Sequence, residues 1–224
     1  LTLNLKENKN NTFLKFGLHY DDLYKSGVLV NYTHKKMIVK NDVASLDVIL
    51  GDNFRYNFDY YIDNGFYWSF GFNSKFNSFN RNIATDFENG VIFTDLGINS
   101  VNIDFADLTN QAYVQTIFAQ KFSFGAGLEF KYLNIESETL QNTKPVFDKS
   151  NYLSAFGYLK YDTFNQKYFP KKGWYFSSDI QSYLFSSNYT DKFNPFSIFK
   201  AEVGIAAQIV KKVTLRFQAD AGMS

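Results

Sequence analysis

The chain has 224 residues, a formal net charge of +1, no cysteine and only three prolines, while aromatic residues make up 20% of it. Balanced charge leaves no field to draw the chain to nucleic acid, and the missing thiols exclude disulfides, thiolate catalysis and cysteine-ligated zinc. No run of about 18 apolar residues occurs, which excludes a transmembrane helix and leaves strands as the only way of crossing a bilayer.

Composition does not break anywhere, so the chain reads as one large all-β domain. From the start, Leu14, Phe16, Leu18 and Tyr20 alternate with Lys15, Gly17 and His19, which predicts a strand over 12–20. "DDLYKSG" turns the chain. Val28, Val30 and Tyr32 then oppose Asn31, Thr33 and Lys35, and after "IVKND" Ala44, Leu46, Val48 and Leu50 oppose Ser45 and Asp47. In the next strand Phe54, Tyr56, Phe58, Tyr60 and Ile62 face away from Arg55, Asn57, Asp59 and Asp63. "DNG" predicts a tight hairpin, because Asn and Gly accept the positive φ of two-residue turns. Beyond it Phe66, Trp68, Phe70, Phe72 and Phe76 oppose Ser69, Gly71, Asn73 and Lys75.

Alternation weakens from about Ser78 to Phe105, which reads as a long connection. Further strands are expected near 109–120, 122–135, 152–163, 173–185, 195–210 and 213–222. Phe122, Phe124, Ala126, Leu128 and Phe130 oppose Gly125, Gly127, Glu129 and Lys131; the strand after them is ambiguous in phase. Gly125 and Gly127 fit either a close contact on the polar face or relief of strand curvature. Phe199, Ala201, Val203 and Ile205 oppose Lys200, Glu202 and Gly204, and Val213, Leu215, Phe217 and Ala219 oppose Thr214, Arg216, Gln218 and Asp220. Pro145, Pro170 and Pro195 all fall between or at the ends of these runs, as ladder hydrogen bonding demands. Short connections ("IVKND", "DNG", "AQK", "VKK") alternate with long polar ones, the asymmetry of outer-membrane barrels.

A soluble sandwich also alternates, so the content of the apolar face has to discriminate. A self-packed core needs large and small side chains that interdigitate, whereas lipid accepts any shape. Apolar positions that are nearly all Phe, Tyr, Trp or Leu suit lipid, with Phe54, Tyr56, Phe58, Tyr60, Trp68, Phe70 and Phe72 lipid-facing, and Tyr20, Tyr60, Trp68 and Trp174 suited to interfacial girdles. Lys15, Arg55, Asp59, Lys75, Glu129, Lys131, Lys200, Glu202, Arg216 and Asp220 fall mid-strand on the other face. Each would cost about 2–4 kcal/mol in hydrocarbon, so they are expected to face a watery lumen, lining a pore or forming a ladder of salt bridges.

"YDTFNQKYFPKKGWYF", residues 161–176, resembles the Asp…Phe-Pro-x-x-Gly signature of the bacterial surface antigen superfamily of BamA- and TamA-type outer-membrane barrels, with Asp162, Phe169, Pro170 and Gly173 at its positions. Pro170 would end the ladder, Gly173 relieve the turn and Trp174 re-enter the bilayer at its interface. "LTLNLKEN" resembles the last strand of a periplasmic POTRA module, which makes 1–11 the end of that module and 12–224 the barrel. The resemblance implies an antiparallel transmembrane β-barrel, here about the first eleven of sixteen strands, in the bacterial outer membrane. The chain then reads as a piece of something longer, and the Arg-bearing loop motif placed after the eleventh strand is missing. "FLKFGLHYDDLYKSGVLVNYTHK" and "NDVASLDVILGDNFRYNFDYYIDNGFYWSFG" look most like barrels that follow a patatin-like phospholipase domain. That implies anchoring or translocation of an upstream lipid acyl hydrolase, whose Gly-x-Ser-x-Gly elbow does not occur here. The alternatives are an assembly factor that inserts other barrels through a weak seam at residues 12–20, and a porin-like or soluble β-rich binding protein. The implied partners are outer-membrane lipid, the upstream domain, and other outer-membrane proteins or a second copy, with no nucleic acid.

No catalytic residue, cofactor or metal is assigned. His19 and His34 are the only histidines and lack partners at metal-ligand spacing. His19 with a nearby serine could be cast as a lipase site on a barrel wall, but no group to orient the base is identifiable, and a rim histidine is the simpler reading. Asp21 and Asp22 sit in a turn and read as solvated.

The two-sided reading is testable within one strand. Phe58→Arg should lower assembly, measured by heat-modifiable gel mobility, by the equivalent of about 2–4 kcal/mol relative to Asn57→Arg. Equal assembly of the two variants would contradict it.

Overall fold

The computed structural model describes residues 10–84, 99–137, 146–187 and 193–224. Eleven strands follow one another as β1 (Thr12–Asp21), β2 (Lys25–Lys35), β3 (Asp42–Gly51), β4 (Arg55–Ile62), β5 (Ser69–Ala84), β6 (Ser100–Phe118), β7 (Phe122–Glu136), β8 (Val146–Asp162), β9 (Lys172–Ser186), β10 (Phe196–Val210) and β11 (Val213–Met223). They form one sheet in sequence order, a meander without crossovers. The expected barrel is not closed by these strands: β1 and β11 are the two ends of the order. Directions alternate along an antiparallel meander, so the first and eleventh strands run the same way and could not close an antiparallel ladder.

The chain divides into two compact units, one of residues 1–62, 73–109 and 132–150, the other of 63–72, 110–131 and 151–224. In the first unit the register makes the two faces explicit. Lys15 pairs with Asn31, Asn31 with Asp47, and Asp47 with Asn57. One residue along each strand, Phe16, Val30, Val48 and Tyr56 form the adjacent row, which points to the other side because side chains alternate. In the second unit Lys160, Ser177, Glu202 and Asp220 align, beside the row Tyr161, Phe176, Val203 and Ala219. The phase of β8, unreadable in the sequence, is thereby settled: Phe156, Tyr158 and Lys160 share the polar side.

The expected long connection from Ser78 to Phe105 is largely strand. β5 runs on to Ala84 and β6 begins at Ser100. Alternation faded there because Asn and Ser occupy both faces, yet the ladder is held by Asn77 Nδ2 donating to Asp107 Oδ1 at 3.1 Å and by Phe79 stacked on Phe105 at 4.6 Å. The "DNG" hairpin is also not a two-residue turn, for β4 ends at Ile62 and β5 starts only at Ser69, which leaves Phe66 and Trp68 in the connection. Asp63 Oδ1 accepts the Gly65 N–H, Asn64 N–H donates to Ser69 Oγ, and Asn64 Nδ2 donates to the Trp68 carbonyl, so side chains hold a wider loop open. The double left-handed turn occurs instead at Ala119 and Gln120, with φ of 51° and 54°, closed by Lys121 N–H to the Phe118 carbonyl.

Among the described residues the buried hydrophobic side chains are Ala44, Val101 and Ala206, and the largest fully buried ones are Asp42, Ser69, Ser137 and Ser154. Phe16 is 70% exposed and Leu18 90%. On the polar side of the second unit, aromatic rings pack against glycines of the neighbouring strand: a Cβ on Gly125 would strike the Tyr158 ring, and one on Gly127 would fall 2.7 Å from Phe156 Cζ. The two glycines therefore serve close contact. At Gly127 the added atom would also overlap the Ala112 carbonyl oxygen, which unlike a ring tip cannot swing aside. Gly127→Ala should destabilise the sheet by about 1–3 kcal/mol and Gly125→Ala by less, read from the denaturant midpoint of the folded, heat-modifiable form. The reverse order would refute that account of the backbone approach.

Candidate functional site

The carboxylates of the polar face find neutral partners rather than cations. In the first unit Asn31 Nδ2 donates to Asp47 Oδ1 at 2.6 Å, and Asp59 accepts from Asn57 and from Asn73, the latter at 2.7 Å. In the second, Glu129 is buried and accepts from Gln111 Nε2 at 2.6 Å and Gln181 Nε2 at 2.7 Å. Gln218 Nε2 donates to Glu202 at 2.7 Å while Gln218 Oε1 accepts from Arg216 Nη2 at 2.9 Å, a relay that ties Arg216 to Glu202 through an amide. Asp220 lies directly opposite Glu202 in register.

Of the two alternatives, a pore lining or a ladder of salt bridges, the second is not what the described residues form: they form a carboxamide ladder. Lys15, Lys75, Lys131 and Lys200 have neither an ion pair nor a hydrogen bond among the described residues, although Lys200 faces Asp179 across the register. A charge-assisted hydrogen bond to a short, stiff amide contributes roughly 1.5–3 kcal/mol, whereas an exposed Lys–carboxylate pair contributes roughly 0–1, so the arrangement favours the stronger contact. It leaves the cationic side chains free to meet solvent or ligand.

Of the ring-face residues singled out in the sequence, Tyr56, Phe58 and Tyr60 lie on β4 and Phe70 and Phe72 on β5, while Phe54 immediately precedes β4 and Trp68 precedes β5. Phe54 and Phe76 pack ring to ring at 6.0 Å, and Tyr56 Oη meets Ser74 Oγ at 3.1 Å. Tyr60 is more than a girdle residue: its hydroxyl donates to Asp42 Oδ2 at 2.8 Å. Asp42, a residue the sequence gave no reason to single out, also accepts the backbone N–H groups of Met37, Ile38 and Val39 at 2.6, 2.8 and 2.9 Å. It organises the β2–β3 connection, and only the Asp at the end of "IVKND" could have hinted at that.

The signature turn between β8 and β9 is held by three polar side chains. Asp162 Oδ1 accepts the Phe164 N–H at 2.7 Å, and Asn165 Oδ1 accepts from Lys171 N–H at 2.9 Å and Lys172 N–H at 3.1 Å. Thr163 Oγ1 donates to the Trp174 carbonyl at 2.8 Å and receives the Trp174 N–H at 2.9 Å. Pro170 is buried, Phe169 is 82% exposed, and Trp174 packs on Tyr161 at 4.6 Å. Gly173 stands just inside β9, which begins at Lys172. Its φ of +114° and the approach of the Thr163 carbonyl leave no room for a side chain.

The two histidines have separate partners. His19 Nε2 meets Asp21 Oδ2, so an orienting carboxylate exists after all, but Asp21 Oδ1 is already bound to the Leu23 and Tyr24 N–H groups. Asp21 is thus a turn-forming residue and not simply solvated. The nearest serine in register, Ser26, pairs with Tyr20 while His19 pairs with Gly27, which puts Ser26 on the other face, where its hydroxyl donates to Asp52 at 3.0 Å. His34 Nδ1 contacts Thr12 Oγ1 at 2.8 Å. The POTRA-like reading of 1–11 falls almost wholly on residues 1–9, outside the described residues.

Gly173→Ala should cost about 1–3 kcal/mol and unpin Thr163 from Trp174, seen as a lower denaturant midpoint with a changed tryptophan emission spectrum; an unchanged midpoint would exclude strain at this turn. A family model described as the OMP85 superfamily matches residues 1–224. No curated protein matches the chain.

Proposed function

The chain belongs to the OMP85 superfamily, whose members are outer-membrane proteins, and from that premise we propose that the sheet is the barrel wall that anchors or translocates an upstream patatin-like phospholipase domain. The observation that carries the membrane part of this reading is the exposure of large apolar side chains among the described residues: Phe54, Trp68, Phe70 and Phe72, which would be core in a soluble domain, stand exposed, so they need lipid as solvent. On this reading Phe54, Tyr56, Phe58, Tyr60, Trp68, Phe70 and Phe72 face lipid. Lys15, Arg55, Asp59, Glu129, Lys131, Lys200, Glu202, Arg216 and Asp220 face the lumen, and strands beyond β11 complete a sixteen-stranded barrel. The phospholipase association is supported by the resemblance of residues 13–35 and 41–71 to barrels that follow such a domain. Residues 1–11 would be the end of the intervening POTRA-like module.

A second reading, an assembly factor that inserts other barrels, is favoured by the state of β1. Among the described residues it is an end strand of the sheet, paired on one edge with β2, and its apolar side chains are strongly exposed. The two readings part in the host cell. Removing residues 12–224 from the gene should release acyl-hydrolase activity from the outer membrane and leave other outer-membrane proteins at normal abundance. A general fall in those proteins, with no hydrolase activity affected, would overturn the anchor and favour the assembly factor.

A further inference from the structure

On the polar side of the first unit, Tyr24, Asp47, Arg55, Asn57, Lys75 and Asn77 surround a concavity of about 380 Å³. Arg55 stacks over the Tyr24 ring, its guanidinium carbon 3.7 Å from the centroid, which fixes the plane of the group and leaves its edge for hydrogen bonding. Its Nε atom is buried and has no hydrogen-bond partner. A buried donor without a partner costs roughly 1–3 kcal/mol, so an acceptor that enters the concavity and shifts the cover of Nε would satisfy an unmet donor. Lys75, in the same lining, also has no hydrogen-bond or ion-pair partner among the described residues.

We propose that this concavity binds a phosphodiester group, with Arg55 and Lys75 as its two charged donors. The sign follows from the unpaired cations, and the charge of the ligand from the third ionic group. Asp47, also in the lining, is held by Asn31 outside it, so the ionic groups of the lining itself leave one net positive charge, with Asp59 and Asp107 behind the Asn57 and Asn77 amides. That matches a monoanion better than a dianion. Asn57 and Asn77 each use an amide hydrogen on a carboxylate, Asp59 and Asp107 respectively, and keep the second for a further acceptor. Donors converging from separate strands suit a tetrahedral oxyanion better than a flat carboxylate. The same group could come from a phospholipid headgroup or from a soluble phosphodiester, and the site itself requires only the shared anion. The proposal does not depend on the anchoring role, because the concavity lies within one unit and on its polar side.

The test uses the whole protein folded in an uncharged alkyl glucoside, titrated in parallel with glycerophosphoglycerol and with phosphatidylglycerol in mixed micelles, and followed by calorimetry and ³¹P line broadening. Saturable binding of either probe is expected, weakened about tenfold or more by Arg55→Gln and by Lys75→Gln and unaffected by Lys15→Gln. Arg55→Lys should also weaken binding, since it keeps the charge but removes Nε. Binding of the micellar lipid alone would identify a headgroup site, and binding of both probes a site open to soluble diesters. If Arg55→Gln fails to give the heat-modifiable form, Lys75→Gln decides, because Lys75 makes no hydrogen bond or ion pair that folding would lose. Absence of saturable binding by the unaltered protein, or equal affinity in the Lys75→Gln and Lys15→Gln variants, would overturn the proposal.

Discussion

Each strand has to be solvated by two different media, and most features of the sheet follow from that requirement. A soluble β-domain satisfies its apolar faces by packing two of them together, which demands complementary volumes and leaves large side chains buried. Among the described residues the largest fully buried side chains are an aspartate and three serines, while phenylalanines and leucines stand outside. The usual hydrophobic contribution to folding is therefore unavailable within the sheet. Stability has to come from backbone ladders, from polar contacts on one side and from an apolar solvent on the other.

The polar side meets its share through geometry rather than charge. Strand spacing brings the ends of short Asn and Gln side chains onto carboxylates of the neighbouring strand or two residues along, as at Asn31–Asp47, Asn73–Asp59 and Gln111–Glu129. A lysine spanning the same distance would lose far more rotamer freedom for a weaker net contact. Rings on that side are accommodated by deleting side chains opposite them, which is why Tyr158 lies over Gly125 and Phe156 over Gly127. Large and small are thus matched across strands on the wet face.

How much of this was legible depended on whether a residue's neighbours in sequence were also its neighbours in space. The strands with strict alternation, such as β4 and β10, could be read because period two is a local property. The ends of β5 and β6 could not, since Asn77 and Phe79 gain their meaning from Asp107 and Phe105 across the sheet. The phase of β8 was hidden for the same reason: Phe156 and Tyr158 look like ring-face residues until the glycines beneath them are known. Turn chemistry misled in both directions, with Asn64 and Gly65 in a wide loop and the left-handed pair at Ala119 and Gln120, because side-chain bonds to the loop overrode local preference. Asp42 was missed altogether, its four donors being spread over its own turn and β4.

Satisfying carboxylates with amides has an electrostatic consequence beyond stability. A wall of closed salt bridges would present little field to whatever passes it, since each charge is cancelled at contact distance. Amides neutralise nothing: they hold Asp47, Asp59, Glu129 and Glu202 in place with their charge intact and leave Lys75, Lys131 and Lys200 unquenched a strand or two away. Fixed charges of both signs on one face make a surface that is neutral on average, consistent with the chain's +1, but structured locally. Such a surface repels neither sign at long range, beyond the roughly 8–10 Å over which salt screens it. Recognition on it is then decided at short range, wherever a rigid donor such as Arg55 on Tyr24 has been left with an unused bond.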